Sequence, residues 1–94
     1  MKNLAIGTRM YNHGDMANAP HFAEIIDRRE DPNGSWQYHL RPEGDGPAYH
    51  GSYWIREAQV DEVFLGHSGT RIVTAEAYKT FRDRQIAQLR ASIS

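Results

Sequence analysis

Five histidines stand in a chain of 94 residues that contains no cysteine, so any metal site here must be built from imidazole and carboxylate. His13 and Asp15 fall in one stretch, His21 follows it, and His39 and His50 fall in two alternating segments. A turn at 42–47 centred between Gly44 and Asp45 sets His39 opposite His50, with Cβ atoms about 5 Å apart, close enough to share a metal. A turn centred at Asp45-Gly46 pairs His39 with Ser52 instead and breaks the site. Two histidines also fall short of the three or four ligands a tight zinc site uses. His39 and His50 are therefore weak metal candidates, and the expectation is no metal and no cofactor.

Nucleophilic catalysis fares no better. It needs a nucleophile within hydrogen-bond reach of an oriented base. His67-Ser68-Gly69 offers the residue types, but neighbours in a short hairpin point apart, and Ser-Gly is common turn chemistry. The chain has no nucleophile-elbow sequence and no phosphate-binding glycine loop. No catalytic residue is assigned, and the protein is expected not to be an enzyme.

These residues are carried by short alternating segments. Leu4–Tyr11 alternates with period two and reads as a strand with Leu4, Ile6 and Met10 on one face. "HFAEIIDRR" (21–29) is a second strand. It leads into "DPNG" (31–34), where Asn-Gly suits the positive φ of a hairpin turn. "SWQYHLR" (35–41) puts Trp36, Tyr38 and Leu40 on one side, "PEGDGP" (42–47) turns, and "AYHGSYWIRE" (48–57) is a fourth strand. "EVFLG", "HSGT" and "RIVT" read as strand, turn and strand. From Thr74 the pattern becomes helical, without Gly or Pro. Thr74 is the candidate N-cap, and Glu76 complements the helix dipole. Ala75, Tyr78, Ile86, Leu89 and Ile93 fall in a stripe about 80° wide that includes Arg82 and leaves out Phe81.

The expected architecture is mainly β: one domain over residues 1–94, a small barrel of five or six antiparallel strands (3–73) and a C-terminal helix (75–92). An even-loop hairpin between the second and third strands turns Ile25 the same way as Leu40. Ala23, Ile25, Tyr38, Leu40, Tyr53 and Ile55 then fill the interior with Leu4 and Ile6. Phe22, Ile26 and Trp54 are left on the outer face, where they either receive the helix or mark a partner or homodimer surface. Gly7, the "GDMAN" at 14–18, and Ile25-Ile26 before an Asn-Gly turn resemble the opening of an SH3-like barrel of the Tudor/KOW sort. In such folds a long first connection precedes a strongly bent strand pair. The resemblance spans roughly residues 4–73 and implies binding to peptides, modified side chains or nucleic acid, and no chemistry.

Charge directs the choice of partner. Residues 1–70 carry six Lys/Arg against ten Asp/Glu, and residues 71–94 five against two. The expected function is a non-enzymatic interaction module recognising an unknown protein or peptide at the barrel rim. There Tyr11, Trp36 and Tyr49 stand near Asp15, Asn18 and Asp31, and aromatics beside acids favour a cationic ligand. The alternative is a nucleic-acid-binding accessory protein using Arg71, Lys79, Arg82, Arg84 and Arg90, with only weak duplex affinity expected; a small metal-dependent enzyme is a further alternative. No segment has a signal-peptide h-region or a membrane span, so a cytoplasmic monomer or homodimer is expected.

Overall fold

The computed structural model describes residues 3–14, 19–44, 51–61 and 72–93. Alternation produces five strands: β1 (Arg9–Asn12), β2 (His21–Glu30), β3 (Trp36–Pro42), β4 (Tyr53–Arg56) and β5 (Ile72–Thr74). A 3-10 turn at Glu57–Gln59 follows β4, and α1 (Ala75–Ile93) follows β5 directly. The strands form one curled, half-barrel sheet in the order β4-β3-β2-β1-β5, every neighbour antiparallel. After the 3-10 turn, Val60 bridges Ile72 of β5, and the Asp61 N–H donates to the Ile72 carbonyl at 2.8 Å. The segment leaving one end strand thus touches the other.

Period two divides the side chains between two faces. The inner face buries Met10, Ala23, Ile25, Tyr38, Leu40, Ile55 and Ile72 with Val60, and Leu4, Trp36 and Tyr53 pack against them. Each fully buried aliphatic there stabilises the fold by about 1.5–3 kcal/mol. The outer face carries Tyr11 and Val73, covered by Ala77, Tyr78 and Phe81 of α1 alongside Phe22. Two expectations need correction. Ile6 is not in the interior but 58% exposed. The chain turns at Gly7 (φ 95°), where the Thr8 N–H donates to the Ala5 carbonyl, so regular pairing starts only at Arg9.

The β2–β3 hairpin turns through residues 31–35, with Gly34 at φ 88° and Asn33 at negative φ. The Asp31 N–H donates to the Ser35 carbonyl at 2.7 Å. This five-residue turn, in a regular ladder, sets Ile25 opposite Arg41. A β-bulge between Ile25 and Asp27 adds Ile26 as an extra residue and brings Ile25 opposite Leu40 instead. The expected facing of Ile25 and Leu40 holds, through an odd turn and a bulge rather than an even loop.

Helix α1 begins as the sequence predicts: the Thr74 Oγ1 accepts the Ala77 N–H at 3.2 Å. Its docking differs from the predicted stripe. Only the first two turns lie on the sheet, and every residue from Arg82 onward is exposed, Ile86, Leu89 and Ile93 by 41%, 62% and 83%. Phe81, outside the stripe, is packed. The sheet ends beneath the second turn, so position along the helix decides burial more than angle around it. The predicted strand at 62–66, its turn at 67–70 and Arg71 lie outside the described residues.

Candidate functional site

Among the described residues, three constellations of polar and aromatic side chains emerge. The first closes the connection between β1 and β2. Asn12 at the end of β1 and His21 at the start of β2 are register partners on the inner face, and both reach Tyr53 of β4. The His21 Nδ1 lies 2.9 Å from the Ala19 carbonyl, which can only accept, so in the neutral ring Nδ1 carries the proton. Nε2 therefore accepts from the Tyr53 hydroxyl at 2.7 Å, and that oxygen accepts from the Asn12 Nδ2 at 3.2 Å. The Asn12 Oδ1 in turn holds the Gly14 N–H at 2.8 Å. Burial pushes the Tyr53 hydroxyl pKa up, with the Asn12 hydrogen bond opposing.

The second constellation lies under α1. The Tyr11 and Tyr78 rings stack with centroids 3.8 Å apart and planes 10° from parallel. Phe22 meets Tyr78 edge-on, and the Arg9 guanidinium sits 4.0 Å over the Phe22 ring. Arg82 donates to the Tyr78 hydroxyl at 2.9 Å. Burial, then the hydrogen bond to Tyr78, pushes the Tyr11 hydroxyl up to about 12. Both tyrosine shifts run away from neutral pH, the wrong direction for a nucleophile or base. Beyond this stack the helix and the end of β1 enclose an open groove of about 680 Å³, lined by His13, Phe81, Ile86 and Leu89 among others.

The third is the uncovered part of the outer face, over β3 and β4. His39 lies opposite Trp54, and their rings stack at 4.6 Å with planes 7° apart. The Arg29 guanidinium stands 4.3 Å from the Trp54 ring centroid. Arg41 and Arg56 belong to the same face by register.

The predicted rim does not assemble from the described residues. Tyr11 lies beneath α1 on the outer face, whereas Trp36 packs on the inner cluster under Arg28, and its backbone N–H donates to the Glu57 carboxylate at 3.0 Å. Asp31 accepts from Gln37 inside the hairpin turn. Asp15, Asn18 and Tyr49 lie outside the described residues, as do Arg71 and His50. The proposed His39–His50 pairing is corrected by the register, which gives His39 to Trp54. Among the described residues no three His, Asp or Glu side chains gather as a metal site. Of the outer apolar trio, Phe22 receives the helix, Ile26 is the half-buried bulge residue and Trp54 stays 38% exposed. Lys79, Arg82, Arg84 and Arg90 are all exposed on α1. Lys79 pairs with Asp83 at 2.8 Å.

Sequence reasoning missed the arginines of the outer face and the clamp that the Tyr53 hydroxyl makes on Asn12 and His21. The signal for the first was present: Arg41 and His39 alternate with Leu40 and Tyr38, and Arg56 and Trp54 with Ile55 and Tyr53. The clamp depends on which strands become neighbours, which alternation does not specify. No helix among the described residues is long and apolar enough to cross a membrane. Comparison with family models, curated proteins and solved structures finds no match to this chain.

Proposed function

We propose that this chain is a non-enzymatic binding module on an SH3-like barrel, and that it takes a protein segment along α1. Support for the barrel comes from the long connection (13–20) before β2, the bend at the Ile26 bulge and the Val60–Ile72 bridge between the sheet's two ends. The observation that carries the function is the second half of α1. It leaves the sheet with Ile86 and Leu89 exposed along a groove lined also by Tyr78 and Phe81, and with Ile93 exposed at the helix end. A helix segment of this length is marginal in water unless an apolar face is packed. Arg82 lies within that face and Lys79 and Arg90 at its edge, while Arg84 falls on the opposite side of the helix, so the fitting partner is amphipathic and acidic, laid helix-in-groove. This reverses the charge expected for a rim ligand, because Tyr11 and Trp36, two of the aromatics that would hold a cation, lie on opposite faces of the sheet.

The test is an NMR titration with acidic amphipathic peptides bearing Leu at i, i+3 and i+7. Amide shifts at Tyr78, Phe81, Ile86 and Leu89 that vanish in Leu89→Asp support the reading. Absence of saturable shifts across the panel, or shifts centred on the β3–β4 hairpin, refutes it.

A further inference from the structure

The acidic body hides a segregation of charge. Four of the five described arginines that precede the helix, namely Arg9, Arg29, Arg41 and Arg56, belong to the outer face, and only Arg28 belongs to the inner. Helix α1 adds its own cations on that same side, since it packs on the outer-face residues Tyr11 and Val73. Glu30 is placed on the inner face by its pairing with Trp36, and Asp31 and Glu57 are held at the hairpin end. Against these eight cations stand Glu24, Asp27 and Glu43 by the sheet and Glu76 and Asp83 on the helix, so among the described residues the outer side is net positive although the whole chain carries −1.

In the middle of the uncovered half of that side stands the Trp54 stack. The indole is 38% exposed on the end strand of the described sheet, with the His39 ring stacked parallel to it and the Arg29 guanidinium over its ring. Arg29 is oriented through Nε and Nη2 to the Gln37 Oε1, at 3.0 and 2.8 Å, a neutral acceptor that leaves its charge uncancelled. Arg41 pairs with Glu24 at 3.0 Å, both side chains open to solvent. Such an exposed pair is weak and can exchange for a phosphate. Asp27 lies on the same face and accepts its neighbour's backbone N–H from Arg28 at 2.8 Å, and Glu43 pairs with Arg9 at 2.7 Å.

We infer that this face binds single-stranded nucleic acid, with a base taking the place of the Arg29 guanidinium on the Trp54 ring and the adjoining phosphates taken by Arg29, Arg41 and Arg56. A flat aromatic platform ringed by arginines suits a ligand that alternates planar rings with anions. A duplex does not qualify, since its bases are stacked on one another and offer no free face. The site is separate from the groove along α1 and stands whether or not a peptide binds there. It also differs from a helix-borne nucleic-acid site, because the stacking group is on the sheet.

The experiment is fluorescence anisotropy of end-labelled 12-nucleotide oligothymidylate and oligouridylate, at 50 and 200 mM NaCl, with thermal melts of every variant. The expected result is saturable binding at 50 mM that weakens with salt. Trp54→Ala should weaken it about tenfold or more, the worth of one stacked base, while Trp54→Phe stays close to wild type. Arg29→Gln with Arg56→Gln should flatten the log–log salt slope by about 1.4, at roughly 0.7 per phosphate contact. No saturable binding at 50 mM overturns the proposal. So does equal affinity for a 12-base-pair duplex or for polyglutamate, or unchanged affinity in a folded Trp54→Ala. If Trp54→Ala does not fold, Trp54→Phe and the double arginine variant decide alone: an unchanged salt slope in the latter overturns the proposal.

Discussion

Tyr53→Phe removes one oxygen and keeps the ring that packs on the inner core. That oxygen accepts from Asn12 and donates to His21, so both partners lose a hydrogen bond together. Asn12 is 8% exposed, and its amide nitrogen has little access to water; a buried donor left this way costs about 1–3 kcal/mol. His21 is only half-buried, so water replaces its lost donor at smaller cost. The expected loss is about 2 kcal/mol. For a domain of this size that lowers the melting temperature by roughly 8–16 °C. Urea denaturation and calorimetry of Tyr53→Phe, Asn12→Ala and the double variant measure it, and the double should cost about 1 kcal/mol less than the sum of the singles. A Tyr53→Phe variant within about 0.5 kcal/mol of wild type, or strictly additive losses, would refute the clamp.

Phe81→Ala should cost about 2 kcal/mol, whereas Leu89→Asp should stay within about 0.5 kcal/mol, because Phe81 packs on the sheet and Leu89 does not; chemical denaturation checks both. Gly34→Ala places a Cβ at φ 88° with open space around it, so backbone strain alone should cost about 1–2 kcal/mol, read by the same method. With the Tyr11 hydroxyl at about 12 when folded and near 10 when unfolded, the native state keeps a proton that the unfolded chain releases. Stability should therefore fall as pH rises from 10 to 12, and Tyr11→Phe should make that fall shallower in pH-dependent melts. Stoichiometric zinc should leave the melting temperature unchanged by differential scanning fluorimetry; a rise of several degrees abolished by His39→Ala would show an imidazole site.

The inner face was legible where alternation met an unbroken ladder. Trp36, Tyr38 and Leu40 lie together as the pattern 35–41 requires, and Thr74 caps the helix it precedes. Legibility failed where a single residue redirected the chain. Gly7 turns what reads as one strand from Leu4, because a left-handed glycine leaves no trace in hydrophobic period. The His39 partner was undecidable between His50 and Ser52 and proved to be Trp54, since register depends on turn size. The helix stripe gave the angle of the apolar face but not how many turns have sheet beneath them. The candidate sites inherit these failures: Tyr11 and Trp36 look alike as strand-end aromatics, and their assignment to opposite faces came from pairing.

Ile26 gives β2 slack. It is one residue more than the ladder with β3 needs, placed after Ala23 and Ile25 and before the hairpin end. Loss of any single residue from 26–30 can be made good by drawing this spare into the ladder. The residues between the lesion and the bulge then shift by one, and each of them changes face. Ala23 and Ile25 keep their partners on β1 and β3, so the damage stops at the bulge. A gained residue finds no matching vacancy and must widen the bulge or slip the register, which turns a strand inside out. The hairpin is thus asymmetric toward changes of length: it absorbs a deletion locally and passes an insertion on to the core.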